Sequence, residues 1–440
     1  MLTSVFLSQN SKILKVWEEA LTVFDADGNP VSQDEVNELS ALEWEDIIPT
    51  ASRYSKESKD SIDPNTSLYD FFLHKSQNLF QDQPVEIAEQ KRAKLLQMAQ
   101  GWGAYIGSPI HRQSLKYFWL EECLEGENPF VAGTYRKILE AISEAAKKHA
   151  EIRLRCEVVE ILSRRILGDD HVPSQPPRVK LAEGTVLSFD AVVLTTPLGW
   201  LKENKAAFKP TLPKEMSLAI DSISYGHLDK VYLTFPTAWW KKSSEASETS
   251  STTKSNDSTN HPPQVFTFWL QPTYAPSTNP QQWLQECVDL TTLPPESSHP
   301  TLLFYIQGPQ SKYIANLVNS STGSDKDRDE KLIDFFLPYI SKLPGYNERK
   351  RECKPSAVKA TSWTSDKFAG FGSYSNFQVG LENGDLHIEM MRYGMPERGI
   401  WFAGEHTAPF IALGTTTGAY WSGEGVGKRI IETFEEGTKV

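Results

Sequence analysis

The sequence predicts a two-lobed protein of mixed α/β (α+β) class. Three observations predict it: a helical first quarter, a change of hydrophobic period near Ile152, and blocks of strands alternating with helices beyond that point. At 440 residues the chain has the length of two or three domains, on the rule of about 100–200 residues each. Its 39% hydrophobic and 23% charged content supplies apolar material for sizeable cores.

Residues 10–124 read mainly as helices. In Val85–Gln100, Ile87, Leu95, Leu96 and Met98 recur at helical spacing among charges, and Pro84 suits a helix start. Asp25–Pro30 reads as a turn. After Asn128-Pro129, the residues Tyr135, Ile138, Leu139 and Ile142 follow the i, i+3, i+4, i+7 rule of an amphipathic helix. From Ile152 the segments Ile152–Ile161, Val179–Leu181, Val186–Phe189 and Ala191–Thr195 are short, β-branched and bounded by Gly and Pro, as strands are. Pro213 opens a helix with Met216, Ala219 and Ile220. Lys230–Phe235, Val265–Leu270 and Leu302–Gln307 form a second strand group, followed by a helix around Lys331–Ile340. Between Ser243 and Thr259, 11 of 17 residues are Ser or Thr and none is a large apolar residue. Such a segment cannot offset its ordering entropy by burial, so a disordered surface loop is expected there.

Composition narrows the function. With 57 acidic against 45 basic residues the net charge is −12, which argues against nucleic acid as the general partner and suits a cationic ligand. No stretch approaches the roughly 18 apolar residues of a membrane span. The first residues lack the features of a secretion signal and the last three are no peroxisomal tripeptide, so a cytoplasmic location is expected. Cys123, Cys156, Cys287 and Cys353 lie far apart, as reduced thiols do. The nine histidines include no H-E-x-x-H, and His387-Ile388-Glu389 has no P-C-x-x-C after it, so no metal centre is expected.

The strongest chemical signal is Gly399–Arg429. It reads as an apolar strand (Ile400-Trp401-Phe402-Ala403), then Gly404-Glu405-His406-Thr407, a Pro-containing loop, and Gly414-Thr415-Thr416-Thr417-Gly418 opening a helix. A glycine for close approach, a carboxylate and a helix N-terminus together suit an anionic ligand edge.

This run resembles the C-terminal flavin-binding signature of the flavin amine oxidase family, which includes polyamine oxidases, monoamine oxidases and lysine-specific histone demethylases. The resemblance implies FAD as cofactor, a small-molecule amine and O2 as substrates, and a two-lobed flavin amine oxidase fold. It puts Gly404 and Glu405 beside cofactor hydroxyls, and the Thr415–Thr416 backbone against the C2 carbonyl of the flavin ring. Leu154–Ile161 resembles the strand that pairs with the adenine, at Val158. Asp190–Gly199 resembles the strand and turn entering the flavin pocket, at Thr196 and Pro197. Tyr225–Val231 resembles the run whose lysine holds a water against flavin N5, which falls on Lys230. The run Gly372-Ser373-Tyr374-Ser375 matches too, and the likeness extends over roughly residues 100–435. It places Trp269 near the substrate, although a strand tryptophan also reads as core. Trp363 and Phe368 read either as flavin neighbours or as core. In many members an aromatic residue stands where this chain has Thr415, and Phe410 is the candidate to replace it.

FAD binding in such a fold uses a strand–turn–helix with G-x-G-x-x-G. None occurs in the 440 residues: Gly101–Gly107 has the wrong spacing, and so has Gly423–Arg429. A truncated Rossmann-like, incomplete FAD lobe is therefore expected, with weak FAD binding. A non-catalytic amine-oxidase-like domain stays open beside the enzyme reading, as does a histone-demethylase-like chromatin enzyme. The expected division is 1–124 helical substrate domain, 125–200 FAD-binding segment, 201–358 substrate-binding sheet and helices, and 359–440 C-terminal FAD-binding segment.

Overall fold

A six-stranded sheet organises the first lobe. Its strands are β1 (Leu21–Phe24), β2 (Leu228–Thr234), β3 (Phe266–Trp269), β4 (Gln285–Asp289), β5 (Thr301–Gln307) and β6 (Ala357–Ala360). They lie in the order β6-β2-β5-β4-β3-β1, all antiparallel except the β3–β1 pair. The computed structural model describes residues 13–14, 21–121, 124, 130–131, 135–164, 175–241, 265–319 and 325–437. The Ser/Thr-rich segment 243–259 lies outside them.

Strand alternation gives this sheet two different faces. Val231, Leu233, Phe304, Ile306, Cys287 and Trp269 point one way and pack on Phe335, Phe336 and Tyr339 of the helix Asp325–Ile340. The Phe304 and Phe336 rings are 4.4 Å apart. Lys230, Tyr305, Glu286 and Phe268 stand on the other face, directly opposite one another across β2, β5, β4 and β3.

Phe268 packs against the helices of the first hundred residues. These include Gln33–Ala41, a π-helical turn Leu42–Ile47, Ile48–Ser58, Leu68–Ser76 and Val85–Met98. Local sequence explains their starts. Ser67 and Asp70 form a reciprocal capping box, and Pro84 precedes Val85 as expected.

The second lobe gathers short elements around one core. Val192–Leu194 pairs in parallel with Ile400–Phe402, and Val158–Leu162 sits in a four-stranded sheet with 178–181, 186–188 and 208–209. The helices Lys214–Ser222 and Gly384–Tyr393 pack on each other against this core. Leu198, Leu201, Phe208, Met216 and Ile220 are buried in it. Residues on both sides of position 200 share this core, Leu198 before it and Leu201, Phe208, Met216, Ile220 and Ile223 after it.

Two local expectations shift. The strand expected from Ile152 starts only at Val158; Ile152 and Leu154 are 61% and 81% exposed, and Arg155 has φ 60°. The strand Gln285–Asp289 was not legible, because its two carboxylates and one amide in five residues oppose the usual strand composition. Every one of its positions is nonetheless buried.

Candidate active site

A cavity of about 410 Å³ lies where the two lobes meet, lined by Pro197, Tyr225, Lys230, Trp363, Ser373 and Tyr374 among others. Pro197 caps the short helix Leu198–Glu203, just after the strand Val192–Leu194, of which Leu194 is buried. Lys230 is the third residue of β2, and Trp363 follows β6 by three residues. The 372–374 backbone arrives against Tyr225 so closely that only glycine fits. A Cβ on Gly372 would stand 2.5 Å from the Gly226 carbonyl, and one on Gly199 2.0 Å from the Gly370 carbonyl. Tyr225 is fixed by donating its hydroxyl to the Ala369 carbonyl at 2.8 Å.

Trp363 is held in place by a buried carboxylate. Asp229 is fully buried and accepts from Thr361 Oγ1 (2.8 Å), the Trp363 N–H (2.7 Å) and Ser311 Oγ (2.8 Å). It points to the opposite face from Lys230, as adjacent strand residues must. Lys230 is half-buried, and desolvation lowers the pKa of its ammonium. Its Nζ lies 5.0 Å from the centre of the Tyr305 ring.

A second cluster adjoins this cavity through Ser375. The Glu405 carboxylate accepts from the Ser375 N–H (3.0 Å), Ser375 Oγ (2.6 Å) and the Gly414 N–H (3.1 Å). Burial raises its pKa, and these three donors oppose the rise. Thr415 caps the helix Thr416–Gly437, accepting at Oγ1 from the Gly418 N–H at 2.9 Å. The N–H groups of Thr416 and Thr417 lack intrahelical partners at the positive end of the helix dipole. A Cβ on Gly414 would be 3.7 Å from the Tyr374 ring, so this helix end and the cavity share a wall.

The family described as flavin containing amine oxidoreductase matches residues 1–431. The chain belongs to that family. Amine oxidation is the family's chemistry and FAD its cofactor. Polyamine oxidase 3 of Oryza sativa subsp. japonica is 25% identical over 423 residues, which are 95% of this chain and 72% of that protein. Polyamine oxidase 2 of Arabidopsis thaliana is 24% identical over the same length, 95% of this chain and 71% of the relative. The peroxisomal N(1)-acetyl-spermine/spermidine oxidase of Homo sapiens is 26% identical over 258 residues, 56% of this chain and 44% of that enzyme.

The residues present fit a flavin. Thr196 Oγ1 and Ser373 Oγ are buried polar atoms without a hydrogen-bond partner in the protein, one beside the cavity and one in its lining. A polar heterocycle in the cavity could give Ser373 Oγ a partner. The Trp363 and Tyr374 side chains supply aromatic wall, and the Thr416 helix end suits the ring edge where negative charge develops on reduction.

Among the residues singled out from sequence, Pro197, Lys230 and Trp363 line this cavity, Thr196 directly precedes Pro197, and Gly404, Glu405, Thr415 and Thr416 form the adjoining cluster. Val158 sits in the neighbouring sheet with its side chain against the second core. Three others go elsewhere. Trp269 is fully buried on the face of the sheet opposite Lys230, stacked on Phe24 and Phe304 at 5.7 and 5.9 Å. It is a core tryptophan, and the strand period puts its neighbour Phe268 on the Lys230 face instead. Phe368 is 69% exposed beneath Lys367. Phe410 turns to Trp119 (5.5 Å) and Arg392 (4.8 Å), so it does not replace the aromatic residue that Thr415 lacks. Sequence reasoning missed Asp229. The available signal was a charged pair, Asp229-Lys230, inside an apolar strand, where alternation requires one of the two to be buried.

Buried titratable groups give a pH prediction. Burial raises the carboxyl pKa of Glu43, Glu121 and Glu286 to about 8, and lowers the imidazole pKa of His227 and His406 to about 4. Between pH 4.5 and 8 the folded chain holds more protons on the three carboxyls than the unfolded chain does, so they make stability fall as pH rises. The histidines act oppositely, but only between about 4 and 6.5. The melting temperature should therefore fall most steeply between pH 6.5 and 8, by scanning calorimetry. A melting temperature that rises across that window would contradict these burials.

Proposed function

We propose that this chain oxidises a secondary or primary amine of polyamine type. The observation that carries this reading is Lys230 in one cavity with Pro197, Trp363 and the orphaned Ser373 hydroxyl. FAD held in this cavity would supply the two-electron acceptor for a hydride leaving the carbon next to the amine nitrogen, with O2 as the final oxidant and hydrogen peroxide as its product. The imine left behind adds water and splits to an aldehyde and an amine.

The side chains have distinct tasks. Trp363, Tyr374 and Pro197 line the cavity and would position a ring and a substrate there. Lys230 offers three N–H donors to a water at the reacting edge. Its desolvated ammonium favours giving up a proton, which suits a group that passes protons during oxygen reduction. The Glu405 cluster and the Thr416 helix end would hold the cofactor's polar edge. The reacting nitrogen must be neutral when hydride leaves, so the net charge of −12 acts on ammonium groups farther along the substrate.

The test supplies purified chain with saturating FAD and spermidine or spermine, and measures peroxide and aldehyde. Equal yields of both products are expected. Peroxide without aldehyde would reject the amine reaction in favour of idle flavin oxidation.

A further inference from the structure

The first lobe holds a second cavity, of about 420 Å³, that shares no lining residue with the Lys230 site. It lies between the N-terminal helices and the end of β5. Its walls include Tyr69 from the helix Leu68–Ser76, Gln100, and Trp283 two residues before β4. Gln307 closes β5, and Gln310 belongs to the helix Gly308–Asn319 that follows. Its volume is within the range of small-molecule sites. Nothing in the amine reaction uses it.

The lining decides what can bind. Among the described residues it includes no Asp, Glu, Lys or Arg, so an ion would lose its hydration with no opposite charge to replace it. The cavity offers amides and rings instead. Gln310 is 1% exposed, and its Nε2 donates to Gln285 Oε1 at 2.8 Å. Gln285 donates in turn to the Trp283 and Leu284 carbonyls, at 2.8 and 3.1 Å, which locks the pair. The Gln310 side-chain oxygen is left without a donor among the described residues, on a buried side chain that lines the cavity. The Gln100 side-chain amide makes no hydrogen bond among them either. Trp283 is half-buried and backed by Tyr313, with ring centres 5.8 Å apart.

We propose that this cavity binds an uncharged nucleoside whose base carries an exocyclic amino group, the base stacking on Trp283 and its edge bonding to Gln310 and Gln100. Gln310, with its Nε2 turned to Gln285, presents an acceptor, which fits the amino group of adenine or cytosine. Gln100 presents a donor and an acceptor side by side, the complement of the ring nitrogen and amino group on the same base edge. Aromatic side chains bind the flat faces of bases whatever their identity, so Trp283 supplies affinity and the amides supply selectivity. A nucleotide fits less well, because no lysine or arginine lines the cavity to meet its phosphate. The site is independent of the oxidase reading, whose residues line the other cavity.

The test is isothermal calorimetry of adenosine on the full chain in saturating FAD. Adenosine should bind at one site. Inosine has a carbonyl in place of the amino group and AMP adds a phosphate, so each should bind at least about 10-fold more weakly. Trp283→Ala should weaken adenosine at least about 10-fold, the scale of one lost stack between a base and an aromatic ring. Gln100→Leu changes a half-buried side chain that bonds nothing in the protein, so it should keep the melting temperature and weaken adenosine about 3- to 10-fold, the scale of one hydrogen bond. Absence of saturable binding, equal affinity for adenosine and inosine, or affinity unchanged in both variants overturns the site. Adenosine binding that appears only when FAD is omitted belongs to the flavin site and overturns it too.

Discussion

Lys230→Met should lower turnover at least about 100-fold while flavin stays bound, the scale on which a positioned proton-transferring group usually contributes. Met keeps the length of the side chain and removes the charge and all three donors. Lys230 is half-buried and its charged form is disfavoured there, so replacing it should leave the melting temperature unchanged or slightly raised. Stopped-flow absorbance separates reduction of the flavin by amine from its reoxidation by O2, and the loss should fall on one of these two steps. A solvated strand-edge lysine would instead give a stability change below about 0.5 kcal/mol and unaltered rates. Intact rates in both half-reactions, with full flavin content, would remove Lys230 from the mechanism.

Asp229→Ala should produce the largest loss of stability of any single change considered for this lobe. The carboxylate has no exposed surface, and Thr361, Trp363 and Ser311 all donate to it. Removing it strands the Trp363 backbone N–H and the Thr361 hydroxyl and takes an acceptor from the Thr364 N–H, while Ser311 keeps Thr364 Oγ1 at 2.7 Å. Each buried unpaired group costs about 1–3 kcal/mol, so a total of about 3 kcal/mol or more is expected. Because the same bonds hold Trp363 at the cavity, FAD affinity should fall with it. Asp229→Asn, which retains one acceptor, should lose less of both. Unchanged unfolding by urea in the alanine variant would show that the 361–364 segment is held by other contacts.

Different parts of the fold were legible for different reasons. Long periodic segments such as Val85–Met98 and regular strands such as Thr301–Gln307 announced themselves by spacing. The Glu405 cluster and the Lys230 pocket were legible through ordered motifs whose glycines and carboxylate have few other uses. What could not be read was which side of a strand faces the site. Trp269 and Phe268 are adjacent, both aromatic, and only the register with Gln285 and Glu286 decides which one turns toward Lys230. Glu286 stayed hidden for a related reason: its burial comes from helices contributed by residues 33–106, far away in the chain. Phe410 went to Trp119 and Arg392 because a nearby cation and ring compete for it, which no local pattern records.

The central claim is that the Lys230 cavity seats a flavin that an amine reduces. Its most direct test is anaerobic addition of spermidine to the chain loaded with FAD, following the visible flavin band. The account predicts bleaching by the amine, return of the band on admitting O2, and at least about a hundredfold slowing of one of these steps in Lys230→Met. A bound flavin whose band survives excess spermidine, spermine and octylamine alike would contradict it.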